Sequence, residues 1–167
     1  MREARKEHAA ERREKMLRDL GRAGFKLTTQ RTAIVNLFSA EESHPTAQEL
    51  YERLRGSHPS ISFATVYNTL DALANAGLSG TLRLGNAARF DPNTAPHHHA
   101  VCVECGNVTD VPAETLAPKA ATVKRLQKQA LGFDVRFVER TYRGVCASCV
   151  KQSQKNQKEE KTKWQRD

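Results

Sequence analysis

The chain has 167 residues, with 27 Lys and Arg against 19 Asp and Glu, a formal net charge of +8 and a pI of about 9.6. At 38% hydrophobic and 28% charged it reads as globular, of one ordinary domain or two small ones. No apolar run approaches the roughly 18 residues of a membrane span, and the start, Met1-Arg-Glu-Ala-Arg-Lys-Glu-His, lacks the apolar core of a secretory signal, so a cytoplasmic protein is expected.

The basic excess is spread along the chain: residues 1–91 carry 14 basic and 11 acidic groups, 92–150 carry 7 and 5, and 151–167 carry 6 and 3. Charge alone is therefore a weak argument for an anionic partner. Residues 1–10 read as a solvated, charged extension of a first helix. Glu11/Lys15 and Glu14/Arg18 are favourable i,i+4 pairs, and Met16, Leu17 and Leu20 begin an apolar stripe. Gly21 and Gly24 interrupt that helix. Ile34, Leu37 and Phe38 mark a second helix at i, i+3, i+4 spacing. After His44-Pro45, Thr46-Ala-Gln-Glu49 is a capping-box sequence, and Leu50, Tyr51 and Leu54 give a third helix its buried face. Ser62 caps a fourth, with Val66, Leu70 and Leu73 inward and Gly77 as its stop.

Two apolar runs, residues 81–84 and 88–90, flank Gly85-Asn86 as a tight hairpin. Helices followed by a hairpin are the layout of a winged helix, whose last helix enters the major groove. Thr65, Tyr67, Asn68 and Asp71 lie off the buried stripe and are the candidate base or phosphate contacts, with packing of Tyr67 and simple solvation of Asp71 as the alternatives. The expected organisation is a 1–10 extension, a winged-helix domain over 11–90, a hinge at 91–96 and a small α/β dimerisation domain over 97–150. A disordered basic tail over 151–167 completes it. The fold class is α+β. Within the second domain a strand is expected near 107–111, a helix near 113–131 and a strand near 133–143. At about 60 residues it needs a metal staple or a partner copy.

Cys102/Cys105 and Cys146/Cys149 are two Cys-x-x-Cys pairs. In a reducing compartment disulfides are disfavoured, and four thiolates fill a tetrahedron with no open position, which is a structural zinc site. A redox dithiol is the alternative. His97-His98-His99 precedes them. His97 and His99 point the same way in an extended segment, with Asp91 upstream and Asp110 downstream. Imidazole and carboxylate without thiolate suit iron(II) or manganese(II); three consecutive histidines are also a common surface accident, and the sequence does not establish that these groups converge. The zinc-deaminase signature is broken, because both its glutamate and the proline before its Cys-x-x-Cys are missing. There is no phosphate loop and no nucleophile elbow, so an enzyme is not expected.

Thr29-Gln-Arg, His44-Pro-Thr-Ala-Gln-Glu-Leu, Ala64-Thr-Val-Tyr-Asn-Thr-Leu, His97-His-His-Ala-Val-Cys-Val-Glu-Cys-Gly and Cys146-Ala-Ser-Cys149, in this order, resemble the ferric uptake regulator family over roughly residues 14–150. The resemblance implies a homodimeric, metal-dependent repressor that binds double-stranded operator DNA, with structural zinc and a regulatory iron(II) or manganese(II). That regulatory site maps onto His44, Asp91, His97, His99 and Asp110. Asp110, where uptake regulators usually carry Glu, and Asn68, where Arg is common, resemble the peroxide-stress branch. That branch senses peroxide by iron-catalysed oxidation of a histidine ligand, and peroxide is the only small molecule expected to react. Pro96 and His98 stand where a further metal site of the uptake branches has His and an acid. The long N-terminal extension and basic tail depart from the family pattern. The rivals are an iron- or zinc-responsive uptake regulator of the same fold and, from another class, a zinc-ribbon interaction module that binds nucleic acid or protein without sensing metal.

Overall fold

The computed structural model describes residues 2–84, 87–113, 124, 128 and 138–164. It divides into two compact units, Met1–Ala95 and Pro96–Asp167.

The N-terminal unit is four helices and a hairpin. Helix α1 spans Arg2–Arg22, so the charged extension is continuous with the first helix. Gly21 lies inside it rather than breaking it; the break comes at Gly24, at φ 85°. Helices α2 (Thr29–Ser39), α3 (Ala47–Leu54) and α4 (Phe63–Asn75) each begin with a hydroxyl that accepts a backbone N–H three residues on, from Thr28, Thr46 and Ser62. Each such cap satisfies a helix-end donor that has no partner within the helix. At Thr46 the box is complete, since Glu49 returns a bond to the Thr46 N–H at 2.7 Å. Helix α4 ends where the sequence predicts. Gly77 takes φ 69°, and the Leu78 N–H reaches back to the Leu73 carbonyl at 2.9 Å.

Strands β1 (Gly80–Leu84) and β2 (Ala87–Asp91) pair antiparallel. The turn between them lies outside the described residues. Leu20, Ile34, Val35, Phe38, Leu50, Val66, Leu70 and Leu73 are fully buried in one core, closed from the hairpin side by Phe90.

In the C-terminal unit β3 (His97–Cys102) is central, with β4 (Val108–Pro112) antiparallel on one side and β5 (Thr141–Gly144) parallel on the other. The parallel pairing requires a long crossover. The helix expected near 113–131 falls in that span and lies outside the described residues, except that Lys124 and Lys128 are helical. Of the strand expected near 133–143, the described part is β5. Where composition predicts a disordered tail, the chain continues as helix α5 (Ala147–Trp164). The second Cys-x-x-Cys starts that helix, and the lysines and glutamines after it are good helix formers with no breaker among them. No described helix is long and apolar enough to cross a membrane.

Leu70 has no exposed surface and sits at the centre of the α4 contact. Leu70→Ala is expected to cost about 2–5 kcal/mol of stability in the N-terminal unit, read as a lower urea midpoint of the helical signal.

Candidate metal centres

The four cysteines meet at one end of the three-stranded sheet. Cys102 closes β3, Cys105 follows on the turn, Cys146 precedes α5 and Cys149 lies in its first turn. The parallel pairing of β3 with β5, Cys102 opposite Gly144, brings the two motifs together across more than 40 residues of chain. The Cys102 and Cys149 sulfurs are 3.9 Å apart and the Cys105 and Cys146 sulfurs 3.8 Å, and all four lie within 4.8 Å of one another. A tetrahedron with zinc–sulfur bonds of about 2.3 Å has edges of about 3.8 Å, so the spacing fits.

The local electrostatics agree. Backbone N–H groups of Cys105 and Cys146, the latter 3.3 Å away, donate to the Cys102 sulfur and draw its thiol down to about 6. Cys149 is pushed up to about 12, first by hydrogen bonding with Cys146 and Cys105, then by burial, and last by the hydrogen bond with Cys102 and its charge. Crowded thiols oppose one another's ionisation. A divalent cation at the centre removes that conflict, and binding it releases protons.

Two further groups of donors lie one in each unit. In the N-terminal unit, Arg89 donates to the His44 carbonyl at 2.8 Å and the Phe90 N–H donates to the Pro45 carbonyl at 2.9 Å. The His44 loop is thereby stitched to β2, the strand that ends in Asp91. The Asn93 N–H occupies Asp91 Oδ1 at 2.7 Å, while Oδ2 lies 3.5 Å from His44 Nε2. His44 and Asp91 are each 3% exposed. Gly80, opposite Asp91, leaves it room, since a Cβ there would stand 3.3 Å from that of Asp91.

In the C-terminal unit the strand period puts His97 and His99 on one face of β3, and the antiparallel register sets Asp110 of β4 directly opposite His99. The two Nε2 atoms are 2.8 Å apart, and His97 Nε2 is 3.7 Å from Asp110 Oδ1. Neighbouring ligands on an octahedral ion with bonds of about 2.1 Å lie about 3 Å apart, so the two imidazoles suit adjacent positions on one cation. The middle residue, His98, points to the opposite face and is 2% exposed. It does not belong to this donor set.

On α4, Tyr67 is 43% exposed, and Asn68 and Asp71 are exposed beside it. Tyr67 also packs edge-on against Phe90, with ring centroids 6.3 Å apart, so packing and exposure coexist there. Thr65 is half-buried and shares its hydroxyl with Ser62 at 2.8 Å, which gives it a part in the helix cap. Asp71 accepts from Asn75 at 3.0 Å. Phe63, 44% exposed at the start of α4, belongs to the same surface. Sequence reasoning missed it, because an aromatic beside a cap reads as core.

Comparisons with known proteins show the family of the chain. The sequence model of the ferric uptake regulator family matches residues 22–136. The peroxide-responsive repressor PerR of Staphylococcus aureus (strain Mu50) is 35% identical over 137 residues, covering 81% of this chain and 90% of its own. The crystal structure of the Campylobacter jejuni peroxide stress regulator superposes with a TM-score of 0.61 at 30% identity, over 80% of this chain and 98% of that one. The ferric uptake regulator of Helicobacter pylori shares the fold, with a TM-score of 0.67 at 17% identity over 84% and 93% of the two chains.

Stripping zinc should unfold the C-terminal unit, since metal binding of this type is worth on the order of 10 kcal/mol in small domains. Elemental analysis is expected to find one tightly held zinc per chain in the wild type and none in Cys146→Ser. The near-ultraviolet dichroism of the variant should resemble that of the chelated protein.

Proposed function

Because the chain belongs to the ferric uptake regulator family, whose members are metal-responsive DNA-binding repressors and not enzymes, we propose that it is the peroxide-sensing kind. It acts as a homodimer on operator DNA through α4 and the hairpin. The observation that carries this reading is the donor set His44, Asp91, His97, His99 and Asp110, all nitrogen and carboxylate, kept apart from the four thiolates. Two relatives at 30% identity or more, both peroxide regulators by name, support it.

The soft sulfur set holds zinc and serves the fold. The five nitrogen and oxygen donors suit iron(II) or manganese(II), which take more ligands and harder ones. Neither half of that set fills a coordination shell, with two donors on the N-terminal unit and three on the C-terminal one. Both halves on a single ion fix the angle between the units, and only in that arrangement do two recognition helices of a dimer match half-sites about one duplex turn apart. The ion shifts the population by its greater affinity for the closed arrangement. On α4, Tyr67 and Asn68 reach base edges, Asn being suited to adenine, and Thr65 at the helix N-terminus lies where a phosphate binds.

Iron(II), if held by these five residues, would supply the one-electron chemistry that activates hydrogen peroxide. Overall one peroxide would be consumed per ring: one of its oxygens becomes the 2-oxo group on His44 or His97, the ring gives up two electrons, the other oxygen leaves as water, and the iron is returned unchanged, so the oxidised ring would be a poorer donor. With that ligand spoiled, the two halves separate and the operator is released. Manganese(II) supports DNA binding without this reaction.

The test uses an operator selected from random duplexes by the manganese-loaded protein. Adding the regulatory ion to zinc-replete protein should tighten binding about 5–150-fold, the usual range for coupled sites. His44→Ala should lose that gain while keeping its zinc. A low dose of peroxide should release the iron(II) form only, with a 16 Da increase (one oxygen atom) on a peptide containing His44 or His97. Asp110→Glu should keep metal-dependent binding and resist peroxide. Equal peroxide responses in wild type and Asp110→Glu would count against the peroxide-sensing reading, and unchanged affinity in His44→Ala would identify an interaction module that senses no metal.

A further inference from the structure

The His99 ring has two nitrogens with different surroundings. Nε2 faces His97 Nε2 at 2.8 Å, on the side of the donor set. Nδ1 faces away, 3.1 Å from Oε1 of Glu139. The backbone fixes this approach. The His99 N–H donates to the carbonyl of Arg140 at 2.9 Å, and His99 pairs with Thr141 in the parallel register of β3 and β5. Glu139, two residues before Thr141, is thereby delivered to the outer edge of the imidazole. The His99 ring is almost wholly buried while the carboxylate is half exposed. A half-exposed Glu side chain has the rotamer freedom to bring its carboxylate into line with a proton on Nδ1.

We propose that Glu139 is the positioning carboxylate of the regulatory site, acting through His99. This rests on the reading of His99 as a ligand. A ligating nitrogen must be bare, so the neutral ring has to carry its proton on Nδ1. A carboxylate at Nδ1 holds that tautomer, fixes the ring plane and makes Nε2 a stronger donor. Glu139 itself stays off the ion. It is separated from the ligand atoms by the width of the ring, and its effect is on the readiness of the site before metal arrives. The motif carrying His97 and His99 gives no hint of it, since Glu139 lies 40 residues further along the chain and reaches the site only through the β3–β5 pairing.

The experiment compares full-length, zinc-replete wild type, Glu139→Gln and Glu139→Ala. Manganese(II) affinity is measured by competition with a fluorescent chelator. The tautomer of His99 is read from nitrogen-15 shifts before manganese is added. Glu139→Ala is expected to weaken manganese(II) binding about 10–100-fold, the usual cost of losing such a partner, and to shift His99 from the Nδ1–H form to a mixture. Glu139→Gln keeps an acceptor oxygen and should recover most of both. Zinc content and thermal midpoint should match in all three. Unchanged affinity and an unchanged tautomer in Glu139→Ala overturn the proposal. Glu139→Gln as weak as Glu139→Ala also overturns it, because a ligand or a bare charge is then at work. A wild type that takes up no manganese overturns the regulatory-ion reading itself. That failure is distinguishable, because the tautomer difference between wild type and Glu139→Ala would persist.

Discussion

Burying an imidazole or a carboxylate is costly unless something of opposite character meets it. His44, Asp91 and His99 are each 3% exposed, and the chain spends ordered backbone to keep them so. Arg89 grips the His44 loop, the Asn93 N–H fixes one oxygen of Asp91, and the sheet register sets Asp110 across from His99. His44 and Asp91 face each other at 3.5 Å, and Glu139 stands 3.1 Å from His99. On the proposed function a cation would join these donors, and the rest of that reading depends on it.

The two donor sets sort metals by chemistry rather than by affinity alone. Four thiolates at tetrahedral spacing exclude water and leave no reactive position, which suits a permanent zinc. The nitrogen and carboxylate donors tolerate a higher coordination number and a redox-active ion. They share strand β3, whose first residues carry the imidazoles and whose last carries a thiol. The zinc end holds β3 and β5 in parallel register, and that register is what sets His99 beside the β5 chain. Loss of the zinc would therefore disorder His97 and His99 as well, although the two sets have no residue in common.

Much of this was legible in the residues. The caps at Thr46 and Ser62, the stop at Gly77 and the inward stripe of α4 follow from local rules that the tertiary structure does not override. The paired Cys-x-x-Cys motifs and the alternation of His97 and His99 are equally local. What the residues could not give is pairing. That Arg89 reaches the His44 carbonyl, that Asp110 stands across from His99 and that Glu139 arrives at Nδ1 all depend on strand register over long separations, which composition and periodicity do not encode. The tail departs from its composition for a different reason. Low hydropathy predicts that a segment buries little, but a lysine- and glutamine-rich run seeded by an ordered first turn can extend as a solvated helix.

The hairpin ties the His44–Asp91 pair to the helices within one packed piece. Strand β2 ends in Asp91, and two residues earlier Arg89 holds the His44 carbonyl and lies 3.4 Å from Glu49 of the α3 capping box. Phe90, between them, is buried against the helices and meets the exposed ring of Tyr67 edge-on. A donor, a core anchor and a helix contact therefore occupy three consecutive residues. An ion bound by Asp91 and His44, as proposed, would act on the base of the hairpin and on the helix whose outer face carries Tyr67 and Asn68. No separate relay is needed, since a strand and the core packed on it move as a unit. On the proposed function, an ion would set the orientation of that whole unit, and a groove-reading helix would be sensitive to it because its contacts are made by short, directional side chains.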